Sequence, residues 1–145
     1  MADTPSIYVH PVKTRHGGQA PVASTWTQIH VPATNAQATK SQGSAGVGKR
    51  NVCTGFTVTL AAGASAIAAA APLTVAIIDG VSGGGTYLWR SYINIPATAG
   101  TQVTIVRTGL WLVGSQATAM TVEFSAAGGA NSYESVAMDG VVVEE

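Results

Sequence analysis

The chain has one cysteine, Cys53, among 145 residues. That count excludes an intrachain disulfide framework and a multi-cysteine zinc site. Charge is scarce as well. Only 10% of residues are charged, against about a quarter in an ordinary globular domain. Seven basic and seven acidic residues cancel, so the overall balance does not fit a typical nucleic-acid binder. Aromatics make up 6%. No run reaches the roughly 18 apolar residues that a membrane helix needs. The nearest candidate, residues 60–78, is interrupted by Ser65, Pro72 and Thr74. The opening Met1-Ala2-Asp3-Thr4-Pro5 has neither the basic n-region nor the apolar h-region of a signal peptide. Synthesis in a cytoplasm is therefore expected.

What the chain does have is apolar content, at 46%, which is too much for a generally disordered polymer. A near-neutral surface has no like-charge repulsion to keep copies apart, so it favours association. The charges that exist are unevenly placed. Residues 1–50 carry Lys13, Arg15, Lys40, Lys49 and Arg50 against Asp3, a surplus of four positive charges. Residues 51–145 carry Arg90 and Arg107 against Asp79, Glu123, Glu134, Asp139, Glu144 and Glu145, a surplus of four negative charges. Such asymmetry points to electrostatic docking.

The two pieces also differ in texture. The first holds Pro5, Pro11, Pro21 and Pro32, with Gly17-Gly18 and a polar run over residues 34–48. Prolines at that spacing exclude a long helix or a central strand. Short extended segments are predicted at residues 7–10 and 25–31. In the second segment Trp26, Gln28 and His30 alternate with Thr27, Ile29 and Val31. The reading for residues 1–50 is an extended basic N-terminal arm. From residue 51 onward, short runs rich in Val, Ile and Thr are cut by glycines. Strands are predicted over residues 52–60, 73–79, 86–95, 102–107, 110–113, 119–125, 133–138 and 141–143. The 73–79 run is nearly all apolar, as in a strand buried on both faces. The alanine-rich 61–71 stretch reads as a loop crossing between sheets. Residues 51–145 are thus expected to form an all-β body, a jelly-roll-like β-sandwich.

Catalytic and ligand motifs are weak. GSAGVGKR, residues 43–50, matches a phosphate-binding loop through Lys49. However, Arg50 stands where a Ser or Thr should hold magnesium, and a β-patterned run follows where a helix should start. It is read as a hinge between arm and body. His10, His16 and His30 have no helical i, i+4 spacing, so no metal site is expected. No serine sits in a G-x-S-x-G elbow. The carboxylates Asp79, Glu123, Glu134 and Asp139 fall singly in turns or on polar strand faces. No cofactor and no enzymatic activity are expected. Tyr87 and Trp89 share parity with Ile93 and Ile95, which places them in the core. Tyr92 falls opposite, beside Arg90, as a contact residue.

Three segments carry a family resemblance: GGGTYLWRSYINIPATAG, RTGLWLVGSQATAMTVEFSAAGGANSYESVAMDG, and the preceding NVCTGFTVTLAAGASAIAAAAPLTVAIIDG. Over residues 51–140 the chain resembles the head cement (decoration) proteins of short-tailed bacteriophages, of the Bordetella phage type. The quoted motifs are glycine-bounded strand ends and turns. The resemblance implies a non-enzymatic virion protein on the outer surface of the capsid, made in the host cytoplasm. It would bridge major capsid protein subunits and associate with itself, as a homodimer in preference to a homotrimer. Neither nucleic acid nor membrane is an expected partner. The residues expected at interfaces are Ile7, Tyr8, Trp26, Ile29 and Arg50 of the front piece, and Arg90 and Tyr92 of the body. The alternative is a tail-associated or host-surface carbohydrate-binding module, in which exposed aromatics stack on sugar rings.

Overall fold

The computed structural model describes residues 22–68 and 72–144. Among them are eight strands: β1 (Val22–His30), β2 (Thr39–Gln42), β3 (Lys49–Ala62), β4 (Leu73–Asp79), β5 (Thr86–Ile93), β6 (Gln102–Gln116), β7 (Met120–Phe124) and β8 (Ser132–Glu144). They form two four-stranded sheets, ordered β1-β8-β3-β6 and β2-β7-β4-β5, and every pairing is antiparallel. First and last strands pair, then second and seventh, third and sixth, fourth and fifth. A long hairpin wrapped around a barrel axis gives that order, and it is the double-sheet jelly roll. The all-β sandwich expected from the sequence is the fold observed.

Alternation builds the core between the sheets. Phe56, Val58 and Leu60 of β3 and Val136 and Met138 of β8 point inward from one side. Leu73, Val75 and Ile77 of β4 and Met120, Val122 and Phe124 of β7 point inward from the other. Phe56 meets Trp89 of β5 across the sandwich at 4.7 Å between ring centroids, tilted by 51°. β4 is buried along almost its whole length on both faces, as its unbroken apolar run predicts. The crossing from β3 to β4 changes sheets, in line with the loop reading of the alanine-rich stretch as far as the described residues go.

Three expectations require correction. First, the boundary at residue 50 fails. Residues 1–21 lie outside the described residues, but from Val22 the front piece is woven into both sheets. β1 pairs with β8 from Val22↔Val143 to His30↔Val136, and β2 pairs with β7 from Thr39↔Glu123 to Gln42↔Met120. The edge position explains the misreading: an edge strand needs few apolar residues and tolerates Pro32 just beyond its end. The glycine-rich 43–48 segment is accordingly a turn between β2 and β3, not a hinge to an arm. Second, the runs at 133–138 and 141–143 are one strand. Gly140 is no turn; a side chain there would collide with the Trp26 ring and the Val52 carbonyl. Third, the runs at 102–107 and 110–113 are also one strand. Cys53 pairs with Leu112 and Gly55 with Thr108, so β6 bulges between them. Gly109 takes the positive φ of 67° that this bulge requires.

Candidate functional site

Strand β5 shapes one outer surface. Ile77 pairs with Trp89 but Ile78 pairs with Tyr87, so Leu88 is an extra residue. That bulge reverses the facing of Tyr87. Trp89 stays in the core, while Tyr87 turns outward with Arg90 and Tyr92, 54% and 72% exposed for the two tyrosines. The assignment of Tyr87 to the core is therefore corrected. On this outer face the Arg90 guanidinium lies over the Tyr87 ring, 4.8 Å from its centroid. Its Nε and Nη2 both donate to Thr74 Oγ1 at 3.3 Å. Thr74, Arg90, Ser91 and Tyr92 line an open groove of about 350 Å³.

The other sheet offers a different surface. β6 is an edge strand of 15 residues with one charge, Arg107. Val106, Trp111 and Val113 are all exposed along it. The neighbouring outward positions on β3 are Thr57 and Thr59, the latter sharing a 3.0 Å hydroxyl contact with Thr104. Tyr133 and Ile29 extend the same weakly charged sheet on β8 and β1. Its outward acid, Asp139, accepts from the Thr27 hydroxyl at 2.7 Å.

The expected contact residues scatter over this scaffold. Ile7 and Tyr8 lie outside the described residues. Trp26 is half-buried against the core, with its ring on Gly140 and its indole N–H buried without a described acceptor. Arg50 is half-buried in β3 and donates from Nη1 to the Gly114 carbonyl at 3.1 Å, tying β3 to β6. Ile29 is 60% exposed on β1. Arg90 and Tyr92 come together on β5, at the lateral side opposite to Ile29, because β1 neighbours β2 whereas β5 neighbours β6. Sequence reasoning missed the exposed Val106 and Val113. Their signal was a single long strand, hidden by reading Thr108-Gly109 as a turn.

Two of the four carboxylates, Glu123 and Glu134, depart from the solvated placement expected, whereas Asp139 is exposed. Glu134 is 2% exposed, and its Oε2 accepts from the Ala38 N–H at 2.7 Å. Burial pushes its carboxyl above the usual range. Glu123 is 7% exposed and accepts from the Ser82 hydroxyl and the Gly83 N–H. Asp79 accepts from the Ser115 N–H and hydroxyl, linking β4 to β6. Each acid thus clasps a loop or a neighbouring strand. Cys53 is fully buried, and desolvation pushes its thiol up to about 11. His30 accepts from the Thr39 N–H at 3.3 Å. Among the described residues no three His, Cys, Asp or Glu side chains gather as metal ligands. No described helix is long and apolar enough to cross a membrane.

No family model matches the chain, and no curated protein matches it. Solved structures match at low similarity. An arabinose-bound α-L-arabinofuranosidase, MgGH51, is 15% identical over 83% of this chain, with a TM-score of 0.35. A Bacillus endospore appendage protein that forms disulfide-linked pili is 11% identical over 86% of this chain and 91% of its own, with a TM-score of 0.30. A chain of infectious bursal disease virus, Gx strain, is 16% identical over 85% of this chain, with a TM-score of 0.32. The present chain spans 23% of the arabinofuranosidase chain and 33% of the viral one. A virus and a pilus stand among these likenesses, which at such TM-scores carry no argument about function.

Proposed function

We propose that this protein is a non-enzymatic structural component of a virion, bound to the outside of a phage head, where it bridges major capsid protein subunits. The observation that supports this reading is the β6 edge. An edge strand presents a row of unpaired backbone donors and acceptors, and soluble proteins protect such strands with charges, prolines, bulges or short length. β6 has no proline, one charge and three exposed large apolar side chains among its 15 residues, and its bulge leaves residues 102–108 in unbroken register. Covered by a neighbour, those features become interface: backbone pairing gives affinity and the alternating side chains give register. Two copies that pair antiparallel through β6 are related by a two-fold axis, which makes a dimer the natural self-association. Repetition over a closed shell then multiplies modest individual contacts. Binding the assembled lattice in preference to free subunits stabilises the lattice by mass action.

The test is co-sedimentation of the full-length protein with expanded heads of the phage that encodes it. Wild type is expected to saturate at many copies per head. Val106→Lys/Val113→Lys is expected to keep its circular dichroism and lose at least tenfold in affinity. Unchanged decoration by the double variant, or release of a few copies with tails alone, contradicts the reading. The saccharide-binding alternative has its own observation in favour. Tyr87 and Tyr92 stand outward on β5 with Arg90 between them.

A further inference from the structure

We infer that the groove lined by Thr74, Arg90, Ser91 and Tyr92 binds an acidic saccharide, with Arg90 taking the ring carboxylate and Tyr92 stacking on the sugar face. The inference rests on the saccharide-binding reading and is independent of shell bridging, which uses β6.

Arg90 is held before any ligand arrives. Thr74 Oγ1 accepts from Nε and Nη2, and the Tyr87 ring supports the guanidinium plane at 4.8 Å. A long side chain fixed on two sides loses little further rotamer freedom on binding. Its charge is available. Asp79 and Glu123 are the acids of that sheet; one accepts from Ser115 and the other from Ser82 and Gly83. Among the described residues no carboxylate pairs with Arg90. A planar guanidinium so oriented, with no acid partner among the described residues, fits a carboxylate through its remaining N–H donors.

The surroundings select a sugar over a bare anion. Tyr92 is 72% exposed and borders the guanidinium in the groove, a flat apolar ring with a polar tip. At the wall Ser91 Oγ donates to the Tyr92 carbonyl at 3.2 Å and keeps its acceptor lone pairs, while Thr74 Oγ1, accepting from Arg90, keeps its proton to donate. The volume of about 350 Å³ lies at the lower end of small-molecule sites, which run from about 300 to 1,000 Å³, and an open groove suits one unit of a longer chain. The carboxylate belongs to a uronic acid or to a sialic acid, and the test separates the two.

The full-length protein is titrated with trigalacturonate, sialyllactose, neutral galactotriose, sodium acetate and a short poly-glutamate peptide, each to about 10 mM. Amide and side-chain chemical shifts are followed. Saturable binding of trigalacturonate or sialyllactose is expected, and whichever binds tighter identifies the acid. Affinity should fall as salt is raised. Arg90→Gln and Tyr92→Ala should each lose at least tenfold. Arg90→Lys should lose less than Arg90→Gln, because an ammonium keeps the charge without the fork. Ile29→Ser, on the opposite side, should bind as wild type. The inference is overturned if no saccharide binds, if galactotriose binds as well as the acids, or if acetate alone matches them. It is also overturned if poly-glutamate is preferred, since the groove would then be a protein contact. None of these results bears on Val106→Lys/Val113→Lys and the heads.

Discussion

Trp26 provides a sharp test of whether the front piece belongs to the sandwich. In a peripheral arm, its loss would leave folding stability unchanged. In the structure its ring packs on Gly140 and against the core from β1. Truncating a fully buried Trp to Ala costs about 3–5 kcal/mol, and the half-buried Trp26 should lose roughly half of that. The indole N–H complicates the sum. It is buried without a described acceptor, a situation that costs about 1–3 kcal/mol, and truncation removes that penalty too. With the penalty at the low end of that range, the net loss expected for Trp26→Ala is about 0.5–1.5 kcal/mol, a fall in melting temperature of roughly 1–6 °C for a domain of this size. Trp26→Phe keeps most of the ring and removes the orphan donor, so it should be neutral or stabilising by up to about 1 kcal/mol. Urea denaturation followed by circular dichroism reads both variants. Equal stability of wild type and Trp26→Ala would refute the packing, and a Phe variant as damaged as the Ala variant would refute the role given to the N–H.

Other consequences follow from the same contacts. Gly140→Ala should cost about 3 kcal/mol or more, because the new methyl meets a backbone oxygen as well as a ring; thermal melts check it. Glu134 is held above its usual titration range by burial, so the folded chain retains a proton that the unfolded chain releases. Between the ordinary and the raised value, stability must therefore fall as pH rises. Glu134→Gln keeps an acceptor for Ala38 and should abolish that slope, which denaturation midpoints between about pH 4 and 7 will show. Cys53, with its thiol raised to about 11, should resist maleimide at neutral pH and react only in denaturant. Deletion through Lys49 removes β1 and β2 and should abolish folding, which circular dichroism detects.

The β4 strand was legible because its apolar run, closed off by Pro72 and Gly80, is too short for a buried helix and too apolar for an exposed strand. The alternation of β1 was legible too, with Trp26, Gln28 and His30 on one face, although not which face turns inward. What escaped depended on partners distant in sequence. Gly140 resembles a turn until Trp26 is placed upon it. Tyr87 has core parity until the extra residue at Leu88 reverses it. The membership of residues 22–50 was hidden because edge strands β1 and β2 contribute little apolar periodicity of their own. Glu134 is instructive in a different way. It shares parity with Val136 and Met138, so its inward direction was in the sequence, and only its charge argued for solvent. Among the proposed contact residues, Arg90 and Tyr92 were read as surface and are so, whereas Trp26 and Arg50 turned out to hold strands together.

The most direct measurement is a cryo-EM map of heads carrying the full-length protein. It should show sandwiches at regular lattice positions, with the β6 edge buried against capsid protein or a second copy in each. Heads without bound sandwiches, or bound sandwiches whose β6 faces open solvent throughout, would contradict the account.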